Sequence, residues 1–426
     1  MTSIAVVVLD ALRKDAFDRH FDWLPGMRFE NAYSTSHWTI PAHGSLFTGF
    51  YPSEIGAHAK SRTLDCPEPT IAEDVSAAGY TTRFWCGNAN LTFWDGWQRG
   101  FDEFHGPSQL HPAFEDSTDW ISYVRGIDAH SWIKYPKAIR HAIASDGSTV
   151  NAIRSGYRQL TRSDADGGAT DALERARRTD FGDSEFLMVN LMEIHTPYYS
   201  SDGSNPVNVT IGDAFADNVS DPEHIRRAYD RSARVLSRRY ERLFDELRSE
   251  FDYVITLSDH GEMLGEHGMW NHGYGLHSEL VRVPLVVSGE GIENATVSRQ
   301  VGLLDLHRTI AALAGIETSS RGTSLLDSTA ANEYLTEYEG FVPMHCAQFE
   351  RKGVPEEVFE RHDTPLRGVV SRSGAYVCQK HGEVLSAADE RTLREARADL
   401  DERESLSQQT DVSNDVQQRL RDLGYA

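Results

Sequence analysis

At 426 residues, with 39% hydrophobic and 25% charged content, the chain has the composition of a globular protein able to bury a large core. Its formal net charge of −23 argues against nucleic acid as a main partner, because phosphate backbones need a cationic face. No run of about 18 apolar residues occurs, so no membrane-spanning helix is expected.

Only Lys14, Lys60, Lys134, Lys137, Lys352 and Lys380 are lysines, and the rest of the 42 basic residues are arginines. A strongly acidic, lysine-poor chain suits high salt, where screening weakens self-repulsion; an ordinary acidic protein is the plainer alternative. Cys66, Cys86, Cys346 and Cys378 are scattered, without C-x-x-C spacing, and read as reduced thiols. Met1-Thr2-Ser3 carries no basic residue and runs straight into an apolar segment. No signal peptide is therefore expected, and the cytoplasm is the default location.

The first element is the run at residues 4–9, whose lack of alternation marks a strand buried on both faces of a parallel sheet. It ends at Asp10, which places a carboxylate at the carboxyl edge, where open α/β sheets put their ligands. Next comes Thr39-Ile40-Pro41-Ala42-His43-Gly44-Ser45-Leu46-Phe47-Thr48-Gly49, a helix start with proline in its first turn. A hydroxyl there faces the positive end of the macrodipole and unpaired backbone N–H groups, which favours a phosphate or sulfate. Taken alone, a threonine ahead of a proline is more simply a helix cap.

A helical pattern covers residues 70–78, and an apolar run at 82–86 leads to Asn88. Residues 138–184 are rich in Ser, Asp, Gly and Arg, and are expected to form a partly helical surface insertion, either a lid or a solvated excursion. The run at 186–191 leads to His195, and residues 203–220 read as a loop. A long arginine-rich amphipathic helix at 222–249 precedes the run at 253–257, which leads to Asp259 and His260. The run at 283–287 ends at Ser288-Gly289. This alternation argues an α/β three-layer sandwich around a large, mostly parallel sheet. After residue 335 the pattern changes to a hairpin at 366–379 and a charged helix at 389–403. The expected division is a catalytic domain at 1–335 and a small antiparallel α+β subdomain at 336–426.

Four segments in this order, namely Asp10, residues 39–49, His195-Thr196-Pro197-Tyr198 and residues 258–268, resemble the alkaline phosphatase superfamily and most closely its sulfatase-like branch. The resemblance covers roughly residues 4–330 and returns in the closing Leu420-Arg421-Asp422-Leu423-Gly424-Tyr425. That branch carries C-x-P-S-R-x-x-L-x-T-G, with Cys or Ser matured to formylglycine. Here Thr39 holds the maturing position and His43 replaces the arginine. Threonine cannot become formylglycine, so the aldehyde-hydrate route is closed. Phosphatase, phosphodiesterase and phosphoglycerol-transferase relatives use an unmodified Thr or Ser, and the chain resembles them there. The resemblance therefore implies a metal-dependent hydrolase or phosphotransferase acting on a small-molecule or glycan phosphoester through a covalent Thr39 intermediate. One alternative is a sulfuric ester hydrolase without formylglycine. Another is a catalytically silent protein that grips an anionic glycan, although retention of the hydroxyl, both carboxylates and the imidazole speaks against silence.

By the same resemblance, Asp10, Thr39, Asp259 and His260 would hold one divalent ion. Oxygen donors with one imidazole suit Mn²⁺ or Zn²⁺ better than Ca²⁺, more so because Ala11 stands where relatives often carry a second acid. His260 by itself reads equally as a core histidine. His195 resembles the family histidine that contacts the transferred group. His272 stands where many sulfatases place a lysine, as acid or phosphate contact, and His267 is the alternative. Asn88 would donate to a phosphoryl oxygen, and His43, one turn past Thr39, would face the same anion. This many histidines leaves room for a second metal. Arg13, Asp15 and Glu262 are expected to orient Asp10 and its neighbours. Trp94, Trp97, Trp120 and Trp132 are either stacking platforms for a sugar or nucleoside, or ordinary buried aromatics.

Overall fold

Strands without polar alternation must be covered on both faces, and the computed structural model covers them with helices on each side. It describes residues 2–107, 167–198, 206–327 and 332–403. The main sheet comprises β1 (Ile4–Leu9), β2 (Met27–Tyr33), β3 (Thr81–Cys86), β4 (Glu103–His105), β5 (Glu185–Leu191), β6 (Tyr253–Leu257), β7 (Arg282–Val283), β8 (Leu285–Gly289) and β9 (Ala295–Gly302). Its order is β4-β3-β5-β1-β6-β8-β2-β7, with β9 paired to β2. Neighbours from β4 through β6 are all parallel, so Asp10 and Asp259, which follow β1 and β6, emerge at one edge. The fold is the mixed, mostly parallel α/β sandwich of the alkaline phosphatase type.

Successive residues of β1 point to opposite faces and enter different cores. Ile4, Val6 and Val8 pack with Leu46 and Phe47 of the helix Thr39–Thr48 and with Ile310 of the helix Leu304–Ala314. Ala5, Val7 and Leu9 pack with Phe17 and with Leu236 and Leu243 of the long helix Pro222–Glu250. That helix opens on Asp221, whose carboxylate accepts from His224 N at 3.0 Å, and it buries Ile225, Tyr229, Leu236, Tyr240 and Leu247 along one stripe.

Several expectations need correction. The run at 283–287 is not a further parallel strand. Pro284, lacking an N–H, divides it into β7 and β8, and β8 runs antiparallel to β6. Ser288 consequently pairs with Val254, at the far end of β6 from Asp259. Of the stretch expected as an insertion, residues 138–166 lie outside the described residues. The described part holds the helix Ala169–Ala176, which buries Ala169, Ala172 and Ala176 and packs on the long helix. Within 203–220, Thr210 caps a short helix, Ile211–Phe215. The strands β2, β4 and β9 were not legible as apolar runs.

A second sheet, β10 (Tyr334–Tyr338), β11 (Leu366–Val370) and β12 (Tyr376–Cys378), is antiparallel, and β11–β12 is the expected hairpin. Its first strand straddles residue 335, where the sequence suggested a division. Glu337 N donates to Thr35 O at 2.8 Å and Ser36 Oγ donates to Glu337 O at 2.6 Å, which fastens this sheet to the segment leading into Thr39. The charged helix spans Ala387–Arg397.

One core histidine predicts an acid sensitivity. His307 is fully buried, neither ring nitrogen has a hydrogen-bond partner, and burial, with Arg308 adding to it, lowers its pKa from 6.5 to about 4. The folded state therefore prefers neutral His307. Its contribution is complete above pH 6.5 and is lost as pH falls through the window down to about 4. The shift corresponds to about 3 kcal/mol. His307→Phe should flatten the fall in stability across that window, read by denaturant unfolding at several pH values. An unchanged slope would discard this assignment.

Candidate active site

The helix Thr39–Thr48 is buried throughout, so its N-terminal N–H groups are withdrawn from bulk solvent. Thr39, 2% exposed, lies in its first turn with its Oγ1 3.5 Å from Asp10 Oδ2. Asp10 sits in the turn after β1, its N–H donating to Leu191 O at 3.0 Å, and the next residue, Ala11, has φ 62°. Asn88, just past β3, donates from Nδ2 to Asp10 Oδ2 at 2.8 Å and lies 3.1 Å from Thr39 Oγ1. Hydroxyl, carboxylate and carboxamide thus form one buried triangle.

The second carboxylate comes from the turn after β6. Asp259 Oδ1 accepts from His260 N at 3.0 Å and Ala11 N at 3.3 Å, which fixes the carboxylate against the first turn. His260 Nδ1 lies 2.9 Å from Gly261 O; a carbonyl only accepts, so the proton is on Nδ1 and Nε2 keeps its lone pair. That Nε2 is 3.6 Å from Asp10 Oδ1 and 3.5 Å from Asp259 Oδ2. All three atoms are buried and without a hydrogen-bond partner. Orphaned buried ligand atoms are costly in an apo site and natural around a cation. Asp10, Asp259 and His260 offer ligand atoms all within 4.8 Å of one another, the one such group of three or more among the described residues. The residues present therefore fit a divalent ion. Without one, burial and the charge of Asp10 push the Asp259 carboxyl well above its ordinary range. Burial also opposes ionisation of Asp10, but the neighbouring His260, His195 and His43 and the hydrogen bond from Asn88 bring it below its ordinary value.

His43 takes part differently from the expected anion contact. Its Nδ1 lies 3.0 Å from Thr39 O and 3.4 Å from Asp259 Oδ2, so it braces the helix start against the carboxylate. Burial lowers its pKa to about 4, leaving it neutral. Sequence reasoning missed Asn190, because it lies inside a strand and no motif marks it. Its Nδ2 donates to Asp10 Oδ2 at 3.1 Å and faces His43 Nε2 at 3.5 Å. Asn190→Leu should cost Mn²⁺ affinity about 10-fold or more, measured by titration calorimetry, because Asp10 loses one of its two carboxamide donors. Wild-type affinity would show that Asn190 merely packs.

His195 and His272 border a cavity that Thr39 also lines, with their ring centres 5.0 Å apart. The His272 ring is 4.6 Å from that of His260, and its Nδ1 is 3.1 Å from Glu262 Oε1. Glu262, raised by burial to about 7, also accepts from Tyr198 OH at 2.9 Å. It therefore orients His272, and does not touch Asp10. Arg13 pairs with Asp15 at 2.8 Å and donates to Glu262 O at 2.9 Å, holding the downstream turn. His267 stands apart: it is exposed, has φ 55°, stacks on His277 at 4.5 Å and does not line the cavity. Trp97 is fully buried and Trp94 nearly so, as core aromatics; Trp120 and Trp132 lie outside the described residues.

Residues 19–316 match the family model described as Sulfatase. The chain belongs to the sulfatase family. Among curated relatives of this sulfatase-family chain, an uncharacterized sulfatase, YidJ, of Escherichia coli is 24% identical over 377 residues, covering 75% of this chain and 69% of the relative. A low-salt glycan biosynthesis sulfotransferase, Agl7, of Haloferax volcanii is 30% identical over 132 residues, 29% of this chain and 31% of the relative. Among solved structures, a phosphonate monoester hydrolase from Silicibacter pomeroyi superposes with a TM-score of 0.60 at 16% identity, covering 93% and 94% of the two chains. No helix among the described residues of this sulfatase-family chain is long and apolar enough to cross a membrane.

Proposed function

We propose that the chain is a metal-dependent ester hydrolase or transferase acting on a phosphoester through an unprocessed Thr39. The observation that carries this reading is the position of Thr39 Oγ1, held by Asn88 and Asp10 beside three unpartnered ligand atoms. Asp10, Asp259 and His260, with Thr39 as a fourth donor, would hold Mn²⁺ or Zn²⁺, which when bound supplies Lewis acidity to the hydroxyl and the transferred group. Asn88 fixes the hydroxyl. The N-terminus of the Thr39–Thr48 helix adds positive potential where the anion docks. In the reaction the Thr39 oxygen bonds to phosphorus as the ester P–O bond breaks, and the substrate's alcohol departs. Water or a second alcohol then takes the phosphoryl group from Thr39. His272, its Nδ1 proton committed to Glu262, presents Nε2 for proton transfer, and His195 stands beside it.

Family membership and the names of YidJ and Agl7 favour a second reading, in which the same oxygen attacks a sulfate ester. The acidic, lysine-poor composition supports a high-salt setting. Purified protein with Mn²⁺ should be assayed on a phosphodiester, a phosphomonoester and a sulfate ester, with acid quenching and peptide mass spectrometry. The expected outcome is turnover of a phosphoester and a phosphorylated Thr39 peptide. Sulfated Thr39 would select the second reading. Equal inactivity of wild type and Thr39→Ala on every ester would overturn both in favour of an anion-binding protein.

A further inference from the structure

The cavity in front of Thr39 carries a charge that the reaction does not use. In a chain with 65 acidic residues, no Asp or Glu is among its lining residues. Its wall instead contains Arg62 and His345. The Arg62 guanidinium carbon lies 3.8 Å from the centroid of the Trp94 ring, and no carboxylate among the described residues pairs with it. Stacking of this kind fixes the guanidinium plane and leaves its edge donors for a ligand. His345, from the helix Pro343–Lys352, is kept neutral mainly by burial, with His272 and then Arg62 adding to it. Its Nδ1 is buried and has no hydrogen-bond partner. Gly273 permits this placement, since a Cβ there would stand 3.0 Å from His345 Cε1. His37, 3% exposed, lines the same wall with Nε2 unpartnered. Its Nδ1 lies 2.7 Å from His272 O, so Nδ1 carries the proton and Nε2 is an acceptor suited to a hydroxyl.

An unpaired arginine, an orphaned imidazole nitrogen and a wall free of carboxylates are complementary to negative charge. We propose that Arg62 and His345 form a second anion subsite, so that the preferred ester carries, besides the group transferred at Thr39, a carboxylate, sulfate or phosphate on its alcohol part. Beside it His37 Nε2 accepts from a hydroxyl of that same part, as on an acidic sugar. The inference rests on the reading of Thr39 as the reacting residue, because it takes the cavity as the seat of the alcohol part.

The test is calorimetric binding, with Mn²⁺ present, of glucose 1-phosphate and glucuronic acid 1-phosphate to Thr39→Ala protein, which needs no turnover. The two ligands differ only at C6, a hydroxymethyl group in the first and a carboxylate in the second. Glucuronic acid 1-phosphate should bind at least ~10-fold more tightly. Arg62→Gln in the same background should erase that preference, and Arg62→Lys should retain part of it. Thermal unfolding of both variants reports whether they fold. Equal affinities for the two ligands, no binding of either, or a preference that survives Arg62→Gln would each overturn the subsite. A preference confirmed in binding while wild type turns over no ester would leave the subsite standing and overturn the reading of Thr39.

Discussion

Thr39→Ala should lower kcat on the preferred ester by at least ~10³, with the protein still folded and still binding Mn²⁺. The expectation follows from how little else in the cavity can attack. His195 and His272 also line the cavity, and the His272 nitrogen nearest Glu262 is committed to it. Loss of the methyl-bearing alcohol removes the covalent route entirely. Asn88, the helix start and the ion that Asp10, Asp259 and His260 would hold remain to bind the anion, so KM should change far less than kcat. Thr39→Ser keeps the oxygen but gives up the β-branch that restricts its rotamer, and should retain partial activity. A Thr39→Ala enzyme with wild-type kcat would refute the assignment of nucleophile.

The second large effect is on the metal. Asp259→Asn should abolish turnover by a similar factor while leaving the metal-free protein as stable as wild type, or slightly more so. Burial beside Asp10 holds the Asp259 carboxyl well above its ordinary range, so in the metal-free state its ionisation is disfavoured. An amide is close to isosteric with the carboxyl and carries no charge to be buried beside Asp10. Asparagine cannot supply the negative charge a divalent ion needs. Wild type should therefore gain about 2.7 kcal/mol at a Mn²⁺ concentration 100 times its Kd, and the variant much less. Thermal unfolding of both proteins with Mn²⁺ and with a chelator distinguishes the cases. A variant that is strongly destabilised without metal, or stabilised by Mn²⁺ like wild type, would contradict this picture.

The elements that place these residues differed in how openly the chain declares them. Strands β1, β5 and β6 are continuous apolar runs ending in polar clusters, and their parallel pairing follows from burial on both faces. That alone brings Asp10 and Asp259 to one edge. The long helix is equally plain, since its stripe repeats over 29 residues. The strand β2 is not, because its buried positions are interspersed with partly exposed Arg28, Glu30 and Asn31. The direction of β8 is set by its partners, not by its own residues, so a run resembling β6 turned out to oppose it.

The same split applies at the cavity. Motif residues such as Thr39, Asp259 and His260 announce themselves by their neighbours in sequence. His37, Arg62 and His345 meet the cavity, and Asn190 meets Asp10, only through the fold, each from a different segment, and no local pattern distinguishes them. His267 shows the converse, since its place in a recognisable motif suggested a role that a left-handed turn directs away from the cavity.

Crystals soaked in Mn²⁺ and measured at the manganese absorption edge test the central claim most directly. An anomalous peak should appear among Asp10 Oδ1, Asp259 Oδ2 and His260 Nε2, within coordinating reach of Thr39 Oγ1. A featureless map there at saturating Mn²⁺, or an ion coordinated away from the threonine oxygen, would mean that no cation readies this alcohol for attack.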